Sequence, residues 1–287
     1  MSRIRRVFVR SLVTLAIAGL GLALPATASA DFLDFTVDEG AVGAPTFPLI
    51  LTADILNGGY TETITFGAGG AFTASAVADF TAFRANEGST GVFSQLDDPN
   101  CVSTATVLCS ALPTYAIYAV FTSTGVATPG ADPDTTVFTG TSANVSLYLD
   151  RNQDTTKTPG GGATGNTGDD SLILSSDTLL EGGGRLVPPG SEGFPEGGGT
   201  FSLVFGDLLL SPFGQLYFPS MAGLSLTAIS SGDFNFFTPT GTQTVTGDLS
   251  VGFEGTAVPE PLTLSLFGMT LLGTGIVARR RRNAAVR

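Results

Sequence analysis

Tyr60-Thr-Glu-Thr-Ile-Thr-Phe66, Gly67-Ala-Gly-Gly70 and Ala71-Phe-Thr-Ala-Ser-Ala-Val-Ala-Asp-Phe-Thr-Ala-Phe83 form the stretch on which the reading of the fold turns. The first segment alternates strictly. Tyr60, Ile64 and Phe66 share one face with Glu62, and threonines take the other. The glycines mark a turn. The third segment then places Phe72, Ala74, Ala76, Ala78 and Phe80 on one face. A period of two on both sides of a glycine turn predicts an antiparallel pair of strands.

The same pattern recurs along the chain. Tyr115, Ile117, Ala119 and Phe121 alternate with Ala116, Tyr118 and Val120, and both faces read as buried, as in a central strand. Val145, Leu147 and Leu149 share a face just before Asp150. Further strands are predicted over 172–174, 201–205, 224–229, 234–237 and 242–253. No apolar stripe of helical period and length occurs between residues 31 and 260. The expected body is therefore all-β, an antiparallel β-sandwich. Two stretches, 151–170 and 181–199, are rich in Gly and Pro and read as long loops, and the second allows a division into two lobes near residue 190.

Composition bounds the chemistry. The chain has 287 residues, 43% of them apolar, so it can bury a core. It has no His, which removes Ser-His-Asp, Cys-His and His-ligated metal chemistry together. It has no Trp, the best platform for stacking sugars or bases. All 25 acidic residues lie within 31–260, against only Arg84, Arg151, Lys157 and Arg185, a balance of −21 inside a whole-chain charge of −12. Such a body repels nucleic acid and attracts divalent cations.

The cations concentrate at the two ends. Arg3, Arg5, Arg6 and Arg10 precede and flank an apolar run, which ends at Pro25 and the small-residue site around Ala28 and Ala30. Residues 1–30 thus read as a signal peptide, with a signal helix removed by signal peptidase before Asp31. Arg5-Arg6 is somewhat like a twin-arginine signal, but Ile4 stands where that signal has Ser or Thr, so general secretion is the expected route. At the other end, residues 262–278 are uncharged and long enough for about 26 Å of helix, the short limit for one membrane span. Arg279, Arg280, Arg281 and Arg282 follow and would hold the tail in the cytoplasm. The expected organisation is a signal peptide over 1–30, an acidic ectodomain over 31–257 and a sorting segment over 258–287. Between the ends, Cys101 and Cys109 enter an oxidising compartment, where a disulfide would contribute about 2–3 kcal/mol.

Pro259-Glu260-Pro261, then 262–278, then Arg279 to Arg282 resemble the PEP-CTERM sorting signal in order, spacing and terminal position. The resemblance implies processing by an exosortase in the inner membrane of a Gram-negative bacterium. It also implies a final place on the cell surface or in the extracellular matrix, linked to exopolysaccharide and biofilm. The body is similar to the flocculation-associated PEP-CTERM proteins in Phe35-Thr-Val-Asp-Glu-Gly-Ala-Val42, in 53–66, in Leu147-Tyr-Leu-Asp-Arg-Asn-Gln-Asp154 and in Gly241-Thr-Gln-Thr-Val-Thr-Gly-Asp248. No catalytic residue comes with that resemblance, and a non-enzymatic protein is expected. The alternatives are a carbohydrate-binding module using Tyr60, Tyr115, Tyr118, Tyr148 and Tyr217, or an extracellular glycoside hydrolase built on a carboxylate pair.

Two local motifs bear on ligands. Gly160-Gly-Gly-Ala-Thr-Gly165 fits a dinucleotide fingerprint in letters only, since no strand leads in and no helix leads out. Asp150, Asn152 and Asp154 offer oxygen ligands at alternate positions, with Asp169 and Asp170 across the same loop, and are candidate ligands for Ca²⁺. Thr155 and Gly161 stand where an EF-hand needs Gly and Glu, so the site is not of that kind. An Asx-rich turn leaving a strand is the plainer alternative.

Overall fold

The computed structural model describes residues 32–43, 49–96 and 115–257, apart from 133, 159, 161, 165, 192 and 193. The expected leader with Ala28, Ala30 and Asp31, the pair Cys101 and Cys109, the span expected over 262–278, and the tail with Pro259, Glu260, Pro261 and Arg279 to Arg282 lie outside the described residues.

Strands form wherever period-two alternation is carried by Thr, Val, Ile and aromatic residues. In chain order they are β1 (Phe35–Asp38), β2 (Ile50–Ala53), β3 (Ile55–Phe66), β4 (Ala71–Ala85), β5 (Thr90–Val92), β6 (Ala116–Pro129), β7 (Thr136–Asp150), β8 (Thr156–Thr158), β9 (Gly162–Thr164), β10 (Ser171–Ser176), β11 (Thr178–Val187), β12 (Gly198–Leu210), β13 (Leu224–Phe234) and β14 (Thr242–Ala257). One short helix, α1 (Pro212–Tyr217), starts at Ser211, whose Oγ accepts from the Gly214 N–H, with Pro212 at its first position.

The all-β, antiparallel expectation is met. The two-sheet sandwich is replaced by a single sheet closed on itself. β3 pairs with β4, β4 with β6, and β6 with β7. β7 then pairs with β10 in its second half and with β11 in its first, so these two behave as one strand broken at Asp177. β12 pairs with both pieces, β13 with β12, and β14 with β13 and finally with β3. Eight staves therefore form an up-and-down barrel without a free edge. Alternation looks the same in a sandwich and a barrel, because in each only one face of every strand meets the core. The closing β12–β13 ladder, from Gly199↔Phe234 to Leu208↔Leu226, is a matter of pairing rather than of pattern.

Closure also changes the reading of the glycine-rich stretches. Gly182, Gly183 and Gly184 lie within β11 and not in a loop. Residue 190 lies between the paired strands β11 and β12, at the tip of their hairpin, where a boundary between lobes was allowed. The 151–170 stretch carries its own small hairpin, β8–β9. Residues 235–237, predicted as part of a strand, leave the sheet after β13.

The inward positions interdigitate large with small. On β4, Ala74, Ala76 and Ala78 make room for rings from the other staves. On β14, a Cβ at Gly247 would lie 1.8 Å from the Asp233 carbonyl oxygen, and the Tyr60 ring covers this bare position from the paired strand. Small voids of about 80 and 50 Å³ lie inside the barrel, both touched by Phe121 and Leu203.

One barrel end, where β3 begins, is plugged. The β1–β2 hairpin and the 212–221 segment pack there. Phe35 meets Phe218 and Phe253 edge-on at 5.4 Å each and Phe83 at 6.3 Å. Buried Glu39 accepts from the Tyr115 hydroxyl (2.7 Å) and the Gln95 N–H (2.7 Å), and the Tyr217 hydroxyl lies 2.8 Å from that of Tyr115. Burial pushes both phenols upward, so they remain protonated donors. The opposite end is closed by rings packed on Ile64, Leu186 and Val245. Phe66, Phe72, Phe138 and Phe237 lie with centroids 5.9–6.4 Å apart in the contacting pairs.

Phe35→Ala should cost about 3–5 kcal/mol in urea unfolding, because three ring contacts are lost at a site the barrel cannot collapse into. Glu62 faces the interior, and burial pushes its carboxyl from 4.5 up to about 7. The fold then binds this proton more tightly than the unfolded chain does. Wild-type stability should fall as pH rises from about 4.5 to about 7, and Glu62→Gln should remove that loss, gaining up to about 3 kcal/mol above pH 7.

Candidate functional site

The outer wall over β6 and β7 carries the most developed surface feature. Outward residues of β6 are Tyr118, Val120 and Thr122, and those of β7 are Asn144, Ser146 and Tyr148, paired as Tyr118↔Tyr148, Val120↔Ser146 and Thr122↔Asn144. The 151–170 segment leaves β7 and folds back, so that Ala163 of β9, Thr167 and Asp170 overhang this wall. A groove of about 440 Å³ lies between them, lined by hydroxyl, amide and aromatic groups.

Its aromatic part is a stacked pair. The Tyr118 and Tyr148 rings lie 5.2 Å apart at 18°. Tyr118 is fully buried, with the Lys157 ammonium 5.2 Å from its ring centroid, and Lys157 in turn pairs with Asp79 at 2.5 Å. This is the one ion pair among the described residues. The Tyr118 hydroxyl donates to Asp170 Oδ2 at 2.6 Å. Burial first, and then the Asp170 carboxylate, push this phenol well up. Tyr148 is only half-buried and keeps contact with the groove.

The acidic part adjoins it. Asp150, Asp169 and Asp170 each bring one carboxylate oxygen within 4.8 Å of the others. Asp150, buried at the end of β7, accepts from the Gln153 N–H at 2.7 Å and the Thr155 N–H at 3.1 Å, which shapes the Asx turn the sequence allowed. The Thr155 hydroxyl donates to Asp170 at 2.9 Å. The predicted ligand set is thus rearranged. Asp150 meets Asp169 and Asp170 across the loop, while Asp154 is exposed and does not join the group. Partial desolvation, followed by the charges of Asp169, Asp150 and Asp170, raises the Asp154 carboxyl above its usual range. Asn152 is exposed. Three carboxylates with lone pairs to spare make an all-oxygen donor set, which suits a hard cation such as Ca²⁺ and not a soft one.

The five tyrosines singled out by sequence separate into two kinds. Tyr60, Tyr115 and Tyr217 are buried in the interior and its plug, and Tyr60 donates to the Asp233 carbonyl at 3.2 Å. Tyr118 and Tyr148 stand on the outer wall. The groove itself was missed, although its signal was present, since Tyr118 falls on the opposite face from Ile117, Ala119 and Phe121. Glu39 was missed as well. It lies in a turn after β1, where no alternation marks a buried acid.

Tyr118→Phe removes a hydrogen bond to a carboxylate and should cost about 1.5–3 kcal/mol in urea unfolding at pH 7. A change within a few tenths would show that Asp170 is held by Thr155 alone. Comparison of the chain with protein-family models, curated proteins and solved structures finds no match.

Proposed function

We propose that this chain is an exported, exosortase-processed protein of the extracellular matrix that binds exopolysaccharide in the groove outside β6 and β7. Residues 1–30 direct export. Pro259, Glu260 and Pro261, the 262–278 helix and the following arginines hold the protein transiently in the inner membrane until it is processed. No catalytic role is proposed for any residue.

The observation that supports the binding role is the composition of the groove. Thr122, Asn144, Ser146 and Thr167 offer donors and acceptors, and Tyr148 offers an aromatic surface beside them. A sugar ring has the same division, with apolar C–H faces and a hydroxyl perimeter, so it can replace water here without leaving polar groups unpaired. Asp170 belongs to both the groove and the acidic group. Asp150, Asp169 and Asp170 would hold Ca²⁺ at the edge of the groove. There the ion would supply a charge that polymer hydroxyls or carboxylates can share, which matters for a body whose own balance is −21.

Binding of purified matrix polysaccharide, followed by calorimetry, should weaken at least fivefold in Tyr148→Ala and in Asn144→Ala with the fold intact. Unchanged affinity in both would overturn the groove assignment. Chelation should weaken binding to the same degree as Asp169→Ala. In cells, deletion of residues 259–261 should leave the protein in the inner-membrane fraction, and normal release would contradict the sorting role.

A further inference from the structure

We infer that the larger interior void of the barrel is a binding site for a small quaternary ammonium ion, with Glu62 as its counter-charge and the surrounding rings as its cage. This site is separate from the outer groove and does not depend on it.

Glu62 is placed there by the strand itself. Tyr60, Glu62 and Ile64 follow one another on the inward face of β3, so the carboxyl enters the barrel with its neighbours. Every stave contributes to the wall around it. Phe72, Phe121, Phe138, Phe201 and Phe234 present rings, and no Lys or Arg lines the void. No donor or cation reaches the Glu62 carboxylate among the described residues, whereas buried Glu39 has its hydroxyl and N–H partners. An inward, unpartnered carboxyl among phenyl rings is costly unless a cation joins it.

The wall decides which cation. A metal ion such as Ca²⁺ needs six or more oxygens, and the side chains of this wall offer one carboxyl, the Ser123 hydroxyl and the Tyr60 hydroxyl, which already donates to the Asp233 carbonyl. A primary ammonium carries three N–H donors and would leave some of them unpaired. A quaternary ammonium has no N–H to satisfy. Its methyl groups are apolar, and its spread charge is attracted by ring faces and by a carboxylate together. The void of about 80 Å³ is well beyond the room for one water and is suited to a compact head group. Gly184 shares the inward face with its pair partners Phe138 and Phe201, and a Cβ there would meet the Thr200 carbonyl oxygen at 3.2 Å and the Phe201 Cβ at 3.5 Å, so the bare position leaves room beside the void. Phe237 joins the void to the ring-closed end, where it meets Phe66 with ring centroids 6.0 Å apart.

The pH response follows from the groups facing Glu62. Tyr60 is the other titratable group on the wall. Asp233 and Asp248 act on the Tyr60 hydroxyl from β13 and β14. Burial pushes the Tyr60 phenol well up and keeps it protonated near neutrality, so on this wall Glu62, pushed up to about 7, is the group that titrates.

The test compares choline with its neutral isostere 3,3-dimethyl-1-butanol on the full chain in a neutral detergent, by calorimetry and thermal shift. Choline should bind saturably and at least tenfold more tightly than the alcohol, and its affinity should fall severalfold between pH 8 and pH 6. Glu62→Gln should abolish this preference while keeping the β-sheet circular dichroism spectrum. Phe138→Leu, which keeps the apolar volume but removes a ring face, should weaken choline more than the alcohol, and it serves as the deciding variant if Glu62→Gln fails to fold. Absence of saturable choline binding, equal binding of the two compounds, or wild-type affinity in the folded variants would overturn the proposal.

Discussion

Closure of the sheet is the constraint from which the other features follow. Once β12 pairs with β13, every stave has a neighbour on both sides, and each residue is committed to the interior or to the outer wall. An eight-stave interior has room for side chains and at most one small ligand. The large–small complementarity of Ala74, Ala76 and Ala78 with the surrounding rings is then a requirement of volume, and so is the approach of Gly247 to the Asp233 carbonyl. A slip of one residue in any ladder would turn a phenylalanine outward and a threonine inward, so the register of one stave is protected by all the others.

The same closure sorts the acidic residues. Among the described residues, most stand on the outside or on loops, where water stabilises them. Those that are buried have specific partners. Asp54 accepts from the Glu87 and Gly88 N–H groups at 2.5 and 3.3 Å, Asp150 caps its own turn, and Glu39 is met by Tyr115 and Gln95. These arrangements work as local clamps. Asp54 fixes the turn after β4, and Glu39 joins the N-terminal turn to β6 and, through Tyr115, to α1. Arg151 extends the plug in the same way, donating to the Val42 carbonyl and covering the Phe213 ring. Glu62 is half-buried, is turned inward by strand geometry, and has no such partner among the described residues.

The strands were legible in the sequence and the closure was not. Tyr60 to Phe83 was read as a hairpin with Glu62 on the apolar face, and the register Phe66↔Phe72 agrees. That reading depends only on side-chain direction along one strand, which is fixed by the pleat. Partner choice between distant strands is set by long-range packing that leaves no periodic mark, hence the sandwich. The glycines of β11 misled for a related reason. In isolation Gly-Gly-Gly signals a loop, but here it lies between β7 and β12, and its lack of side chains suits the crowded interior. At the acidic loop, the sequence suggested Asp150, Asn152 and Asp154 with Asp169 and Asp170 across the loop; the β8–β9 hairpin folds the loop back and brings Asp169 and Asp170 to Asp150, while Asn152 and Asp154 stay exposed.

The two faces of one stave pair also explain why the outer wall is polar where it is. Phe121 on β6 and Leu147 on β7 turn inward and consume the apolar volume available at that height. Their neighbours Tyr118, Thr122, Asn144 and Ser146 are forced outward, beneath a hairpin whose Thr-rich strands cannot supply an apolar lid. Water or a hydroxylated ligand must therefore fill the space. Lys157 lies against Tyr118 and is neutralised by Asp79, so it leaves Asp170, hydrogen-bonded to the same tyrosine, as the charged group that lines the groove. The charge along the groove is consequently graded, with Asp170 and its neighbouring carboxylates at the Tyr118 end and uncharged groups at the Thr122 and Asn144 end. A neutral polymer can lie along such a gradient, while an anionic one needs a bridging cation at the carboxylate end.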